Sequence, residues 1–190
     1  MFGRRFRGRL LRLTRLPQSA LNGLVITIPR LKAGFRHFGI SVHSESGFRN
    51  MSSRRRAREI VLQMLYEADI NGSRDPEAMH RFIRSRMHGH RALSEFGIQL
   101  LEGTLQVRDE VDQHLGNLAK GWSLSRMAVI DRNIMRLAGY EMLREVTPGR
   151  VAINEAVLLA KRYGEETSPR FVNGILDRLM KQFESEGEPS

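Results

Sequence analysis

The chain has 190 residues, with 31 lysines and arginines against 21 acids, a formal net charge of +10 and no cysteine. That length accommodates one domain with a buried core, or a domain plus an arm, and the missing thiols exclude structural disulfides and thiolate metal sites. A basic balance of this size points to nucleic acid or an anionic membrane surface. The apolar stretch at residues 21–28 is broken by Asn22, Gly23 and Thr27 and is far too short to span a membrane.

The charge is unevenly placed. Residues 1–50 carry ten basic side chains and one acid, Glu45, for +9; the remaining 21 basic and 20 acidic residues leave only +1 for residues 51–190. Glycine and proline are scattered through the first fifty residues without helical or alternating periodicity, so this segment reads as a disordered basic arm. Three accounts of it stay open: an in-frame extension upstream of a true start at Met51, an Arg-rich targeting segment, or a basic RNA-binding tail. We favour the first.

The folded part is expected to begin with MSSRRRAREI, residues 51–60. Ala57, Ile60, Val61, Met64, Leu65 and Ala68 recur at helical spacing, with Ser52 or Ser53 as the cap and Asn71-Gly72 as a left-handed stop. Arg54, Arg55, Arg56 and Arg58 sit at the start of this helix, where the positive end of the dipole makes cations unfavourable by ~0.3–1 kcal/mol each. Some role other than helix stability should keep them there.

Asp75-Pro76 is an N-cap followed by proline at the first helical position, and Met79, Phe82 and Ile83 form the inward stripe of a second helix that exits at residues 87–90. Leu93, Gly97, Leu100, Thr104, Val107, Val111, Leu115 and Leu118 then predict one long helix from Arg91 to about Lys120, bent near Gly116. A fourth helix, started by Ser123 or Ser125, turns Met127, Ile130, Ile134, Leu137, Ala138 and Met142 inward and stops at Thr147-Pro148-Gly149. A fifth carries Ile153, Ala156, Val157, Ala160 and Tyr163 and closes at Gly164; Ser168-Pro169 caps a sixth that buries Val172, Ile175, Leu176 and Leu179. Residues 184–190 read as a frayed acidic tail. Short links between amphipathic helices predict an all-α bundle of six to seven helices in two halves, divided near Gly121.

No nucleophile with a base, metal cluster or phosphate loop emerges from the pattern. His88-Gly89-His90 lacks a third ligand and reads as a solvated loop. Glu165-Glu166 reads as exposed charge near a helix N-terminus, and Asp131-Arg132 as a helix face. No cofactor and no metal site is expected. Two binding patches have better support. One is the arginine run, whose planar donor forks suit phosphate and can stack on bases, against the alternative of a solubilising charge run. The other is KRYGEETSPRFVNG, residues 161–174, where Lys161, Arg162 and Arg170 accompany Tyr163 and Phe171 in a mixture suited to single-stranded RNA; the two aromatics could equally be core residues flanking a turn.

The run VAINEAVLLAKRYGEETSPRFVNGILDRL, residues 151–179, resembles the C-terminal signature of the NusB family of transcription antitermination factors. RRRARE followed by VLQMLYEADI resembles the same family's N-terminus, so the resemblance covers about residues 53–182. It implies an all-α fold in two three-helix-like halves and no catalytic activity. It further implies binding of boxA-type single-stranded RNA in nascent ribosomal transcripts, jointly with a small-subunit ribosomal protein that doubles as NusE, within the RNA polymerase antitermination complex. By matched position, Arg54, Arg55, Arg56 and Arg58 fall on the RNA-contacting start, Tyr163, Arg170 and Phe171 on a second RNA-proximal loop, and Asp131 on the helix turned toward the ribosomal protein. Thr167 departs from the acid often found in that loop, and the arm has no counterpart.

The expected organisation is therefore a basic extension at 1–50, a helical RNA-binding domain at 51–183 and the tail, in a cytoplasmic protein without a membrane partner; monomer and homodimer both remain open. Two other readings compete. One is a helical accessory module of a ribosomal RNA cytosine methyltransferase, although the chain has no Rossmann-like cofactor segment. The other is a purely protein-binding helical adaptor whose arginines only keep it soluble.

Overall fold

A computed structural model describes residues 46–72, 75–119 and 123–187. The described residues form seven α-helices and one 3-10 turn, with no strand among them. Of the expected arm, residues 1–45 lie outside the described residues.

Helix α1 spans Ser46–Asn71. It starts before Ser52 and Ser53, which lie inside it instead of capping it, because no proline interrupts residues 46–53. Its end is as the sequence predicts: Gly72 has φ +64°, and its N–H donates to the carbonyl of Ala68 at 3.1 Å. Helix α2, Pro76–Arg86, starts on Asp75, whose carboxylate accepts the Glu77 N–H at 3.1 Å, and proline occupies a first-turn position whose N–H has no helical acceptor. A tight turn at residues 87–90 leads into α3, Arg91–Gln106.

The long third helix predicted from the sequence is two helices. Helix α4, Arg108–Leu118, follows α3 with only Val107 between them, and Gly116 lies within α4. The Thr104 hydroxyl donates to the Leu100 carbonyl at 2.6 Å, a back-bond one turn before the break that bends helices locally. Gly103 is required just before it, since a Cβ there would lie on the ring of Tyr140.

The 3-10 turn Leu124–Arg126 leads to α5, Val129–Leu143; α6 spans Gly149–Tyr163 and α7 Ser168–Gly187. Helix α7 continues through residues 184–187, where the sequence alone suggests a frayed tail.

Helix α5 organises the bundle. It packs on α1, α3, α4, α6 and α7, and its Ile134, Met135, Leu137 and Ala138 are fully buried. Helices α1 and α3 pack closely on each other, as do α6 and α7, and α5 contacts both pairs; Gly121, the expected division between two halves, lies outside the described residues. A charged seam fastens the ends of three helices. Asp69 of α1 accepts from Arg132 at 3.2 Å, Asn133 at 3.2 Å and Arg136 at 2.8 Å, while Arg136 also forks onto Asp112 of α4 at 2.7 and 2.6 Å. Burial pushes the Asp69 carboxyl up, but these donors together hold it below its ordinary value.

Candidate nucleic-acid interface

The four arginines at the start of α1 have four different environments, because α1 is covered by α2, α3 and α5 and buries more than one face. Arg54 is exposed and lies over the Phe96 ring, 5.2 Å from its centroid, with no carboxylate within ion-pair distance among the described residues. Arg55 forks onto Glu155 of α6 at 2.9 and 2.8 Å, with the arginine 37% exposed and the glutamate 3%. Arg56 is exposed and pairs with Glu59 at 3.0 Å.

Arg58 differs from the sequence expectation. It is buried, donating to both Glu141 oxygens and to the Thr147 hydroxyl at 3.2 Å, so its guanidinium is used inside the fold and is not offered to a ligand. The physical reason lies in register: position 58 stands four residues before buried Leu62, on a second inward face of α1.

Glu59 links the two candidate patches. Its buried carboxylate accepts from Arg56 through Oε2 at 3.0 Å and from Arg162, at the end of α6, through Oε1 at 2.7 Å. The Arg162 guanidinium lies 5.5 Å from the centroid of the Tyr163 ring. Tyr163 is half-buried, and its phenol is pushed above its ordinary value by burial and by the neighbouring Glu59. The start of α1 and the end of α6, about a hundred positions apart, thus form one surface on which Arg56, Arg162 and Tyr163 are held by a single acid. A guanidinium fixed by a carboxylate behind it keeps some N–H donors for a phosphate in front.

Beyond Tyr163 the chain turns through residues 164–167 into α7. Arg170, in the first turn, is exposed with no carboxylate within ion-pair distance among the described residues, and Phe171 is partly buried against the core. Lys161 is exposed beside Arg162. The mixture of cations and half-exposed aromatics expected from the sequence is present, with both aromatics contributing to the core as well.

Asp131, expected on the helix turned toward the ribosomal protein and read from the sequence as part of a solvated helix face, is buried, 7% exposed, and its Oδ2 accepts the Ser168 hydroxyl at 2.7 Å. The Ser168 oxygen in turn accepts the Glu165 N–H at 2.9 Å, so the pair fastens the start of α5 to the turn before α7 and directs the Ser168 hydroxyl away from the capping role predicted for it. Burial, with Glu165 nearby, pushes the Asp131 carboxyl up despite the serine hydrogen bond.

Sequence reasoning does not single out Glu59, Glu141, Glu155 or Phe96. For two of them a signal exists: Glu141 stands on the stripe of Ile134, Leu137 and Ala138, and Glu155 on that of Ala152, Ala156 and Leu159, and an acid on an inward stripe requires a cation partner. The partner's position, in another helix, carries no local signature. Among the described residues no group of three or more histidines, cysteines or acids could hold a metal ion, and His88 and His90 are both exposed in their turn. No described helix is long and apolar enough to cross a membrane.

Residues 55–181 match the model of the NusB family. The chain is 45% identical over 139 residues to the transcription antitermination protein NusB of Desulfitobacterium hafniense, an alignment covering 72% of this chain and 93% of that protein. It is 38% identical over 138 residues to the corresponding Geobacter sulfurreducens protein, covering 72% of this chain and all of the relative. Among solved structures it is similar to T. maritima NusB, with a TM-score of 0.61, 35% identity and coverage of 68% of this chain and 91% of that one. It also resembles a chain in the crystal structure of antitermination factors NusB and NusE in complex with dsRNA, with a TM-score of 0.62 and 25% identity over 70% of this chain and 98% of that chain.

Proposed function

Because the chain belongs to the NusB family, we propose that it is a transcription antitermination factor that binds boxA-type RNA in nascent ribosomal transcripts, together with a NusE-like small-subunit ribosomal protein, and supports read-through by RNA polymerase. It acts in the cytoplasm as a non-enzymatic adaptor. Residues 51–183 carry this activity, and the +9 stretch at 1–50 adds sequence-independent attraction to RNA at most.

The observation that carries the reading is the joining of the two arginine-rich segments through Glu59. Arg54, Arg55, Arg56, Arg162 and Arg170, with Tyr163 and Phe171 as stacking faces, supply the phosphate and base contacts that single-stranded RNA needs. Arg58 supports that surface from behind, through Glu141, without touching the RNA. Asp131 supports the ribosomal-protein side in the same indirect way, by fixing Ser168 and the turn before α7.

The test is RNA binding across a salt series by the full chain and by an Arg54→Gln/Arg56→Gln variant. The reading expects weaker binding and a log–log salt slope shallower by about 0.7 for each phosphate no longer neutralised. An unchanged slope, with NusE-type protein still bound, would favour the protein-binding adaptor, for which the internal pairing of Arg55 and Arg58 is the observation in its favour.

A further inference from the structure

Between Glu77 and Glu95 the chain has four arginines, Arg81, Arg84, Arg86 and Arg91, three histidines, His80, His88 and His90, and no acid. All but His80 are exposed. Helix α2 and the turn after it therefore present a charged surface outside the interface described above. Arg84 and Arg86 stand in the last turn of α2, where the helix dipole favours cations. That does not account for the histidines of the turn.

The local structure holds these groups outward. The Arg86 guanidinium lies over the Phe82 ring, 4.9 Å from its centroid, with no carboxylate within ion-pair distance among the described residues. His88 and Gly89 both have left-handed backbone, with φ +49° and +80°, and the turn closes with the His90 N–H donating to the Met87 carbonyl at 3.0 Å. Of the nearby acids, Glu95 is engaged by Arg91 at 2.7 Å, and Glu102 Oε1 lies 2.9 Å from His80 Nε2.

The turn shares one end of the bundle with the start of α1. A Cβ on Gly97 of α3 would lie 3.1 Å from the Ile83 side chain, 3.7 Å from that of Met87 and 3.9 Å from Ala57, so the end of α2, the early turns of α3 and the first arginine-bearing turns of α1 meet there. Arg54 lies over Phe96, the residue before Gly97. Both Arg54 and Arg86 are thus guanidiniums laid on a ring, with their donors uncommitted to any acid among the described residues.

We propose that Arg86 with His88 and His90 forms a second phosphate-binding strip, continuing from Arg54, that engages the RNA backbone flanking the segment held by α1 and the α6–α7 turn. It takes sugar-phosphate without reading sequence. This rests on the RNA-binding reading above and adds a path for RNA beyond the primary site.

The test uses the full chain, a short boxA-type RNA, and the same RNA extended at both ends by uridine tracts. The variant is Arg86→Gln/His88→Asn/His90→Asn, with asparagine chosen at position 88 because it tolerates the left-handed backbone; Arg86→Lys alone keeps the charge. Extension should tighten binding to the wild-type chain several-fold. The triple variant should lose that gain and have a slope shallower by about 0.7 for each phosphate it no longer engages, while still binding the short RNA like wild type; Arg86→Lys should retain the gain. No gain on extension, a gain the triple variant retains, or an equal loss on both RNAs overturns the strip. Loss of binding to a polyglutamate peptide with no change for extended RNA makes an acidic protein the occupant instead. If the wild-type chain binds neither RNA, the primary reading fails, and the strip with it.

Discussion

Arg58 and Glu141, 83 positions apart, form a forked ion pair with Nη2 to Oε1 at 2.6 Å and Nε to Oε2 at 3.0 Å, their side chains 5% and 1% exposed. The Thr147 hydroxyl completes it, donating to Glu141 Oε1 at 2.6 Å. This pair joins α1 to α5 behind the proposed RNA surface. Removing one partner leaves a buried charge uncompensated. Arg58→Met or Glu141→Leu alone should therefore destabilise the protein by about 3–5 kcal/mol, whereas the double replacement should recover most of the loss. Urea unfolding of the two single variants and the double variant measures this. Additive losses would mean that the two residues do not act as a pair.

Arg55 combines a structural role with its place in the proposed RNA-contacting run. Its fork onto nearly buried Glu155 makes Arg55→Gln destabilising by about 1.5–3 kcal/mol, the range for a hydrogen bond to a charged group. Arg54→Gln, exposed and without an acid within ion-pair distance among the described residues, should change stability by no more than about 0.5 kcal/mol, whereas Arg56→Gln, which leaves buried Glu59 with Arg162 as its remaining cation, should cost about 0.5–1.5 kcal/mol. Thermal unfolding beside RNA binding distinguishes them: Arg54→Gln should show a binding defect without a stability defect, and Arg56→Gln a binding defect with a smaller stability loss than Arg55→Gln.

Two carboxylates give opposite pH dependences. Asp69 is held below its ordinary value, so its contribution to stability is present above the ordinary carboxylate range, near 4, and is lost as pH falls through the depressed folded value. Asp69→Asn should therefore be less stable than wild type at neutral pH, and the difference should narrow in acid. Asp131 is raised, so its contribution is full below the ordinary value and is lost as pH rises through the raised one. Asp131→Asn, which keeps an acceptor for Ser168, should match wild type in acid and exceed it at neutral pH. Urea midpoints measured from acid to neutral pH check both signs, and parallel curves for either variant would contradict the corresponding one.

Gly103 accommodates the ring of Tyr140 where α3 crosses α5. Gly103→Ala should cost about 1–3 kcal/mol or more through overpacking. Adding Tyr140→Leu should relieve part of it. Chemical denaturation of the single and double variants tests this, and an alanine tolerated without loss would show that the ring can move aside.

Some elements are legible in the sequence and others are not, for physical reasons. The start of α2 is readable because Asp75-Pro76 is a local signal that acts on its own backbone. The break at Val107 is not, since no proline marks it, Gly103 four residues earlier is there to admit the Tyr140 ring, and the local bend accompanies a threonine back-bond that periodicity does not show. The arginine run is legible as a charge anomaly, but its division into exposed Arg54 and Arg56, pinned Arg55 and buried Arg58 depends on acids in α5 and α6 that periodicity along α1 cannot locate. Likewise, Asp131 looks like part of a helix face because burial by α7 is a tertiary fact.

The central claim is that the start of α1 and the α6–α7 turn form one RNA surface. A double-mutant cycle tests it most directly, pairing Arg56→Gln with Arg170→Gln in the full chain and measuring boxA-type RNA binding with and without the NusE-like protein across a salt series. We predict that each change weakens binding, that both together reduce the salt slope by about 1.4, and that the partner protein tightens RNA binding to the wild-type chain. Loss of affinity from one side alone, with no change when the other is altered, would contradict it.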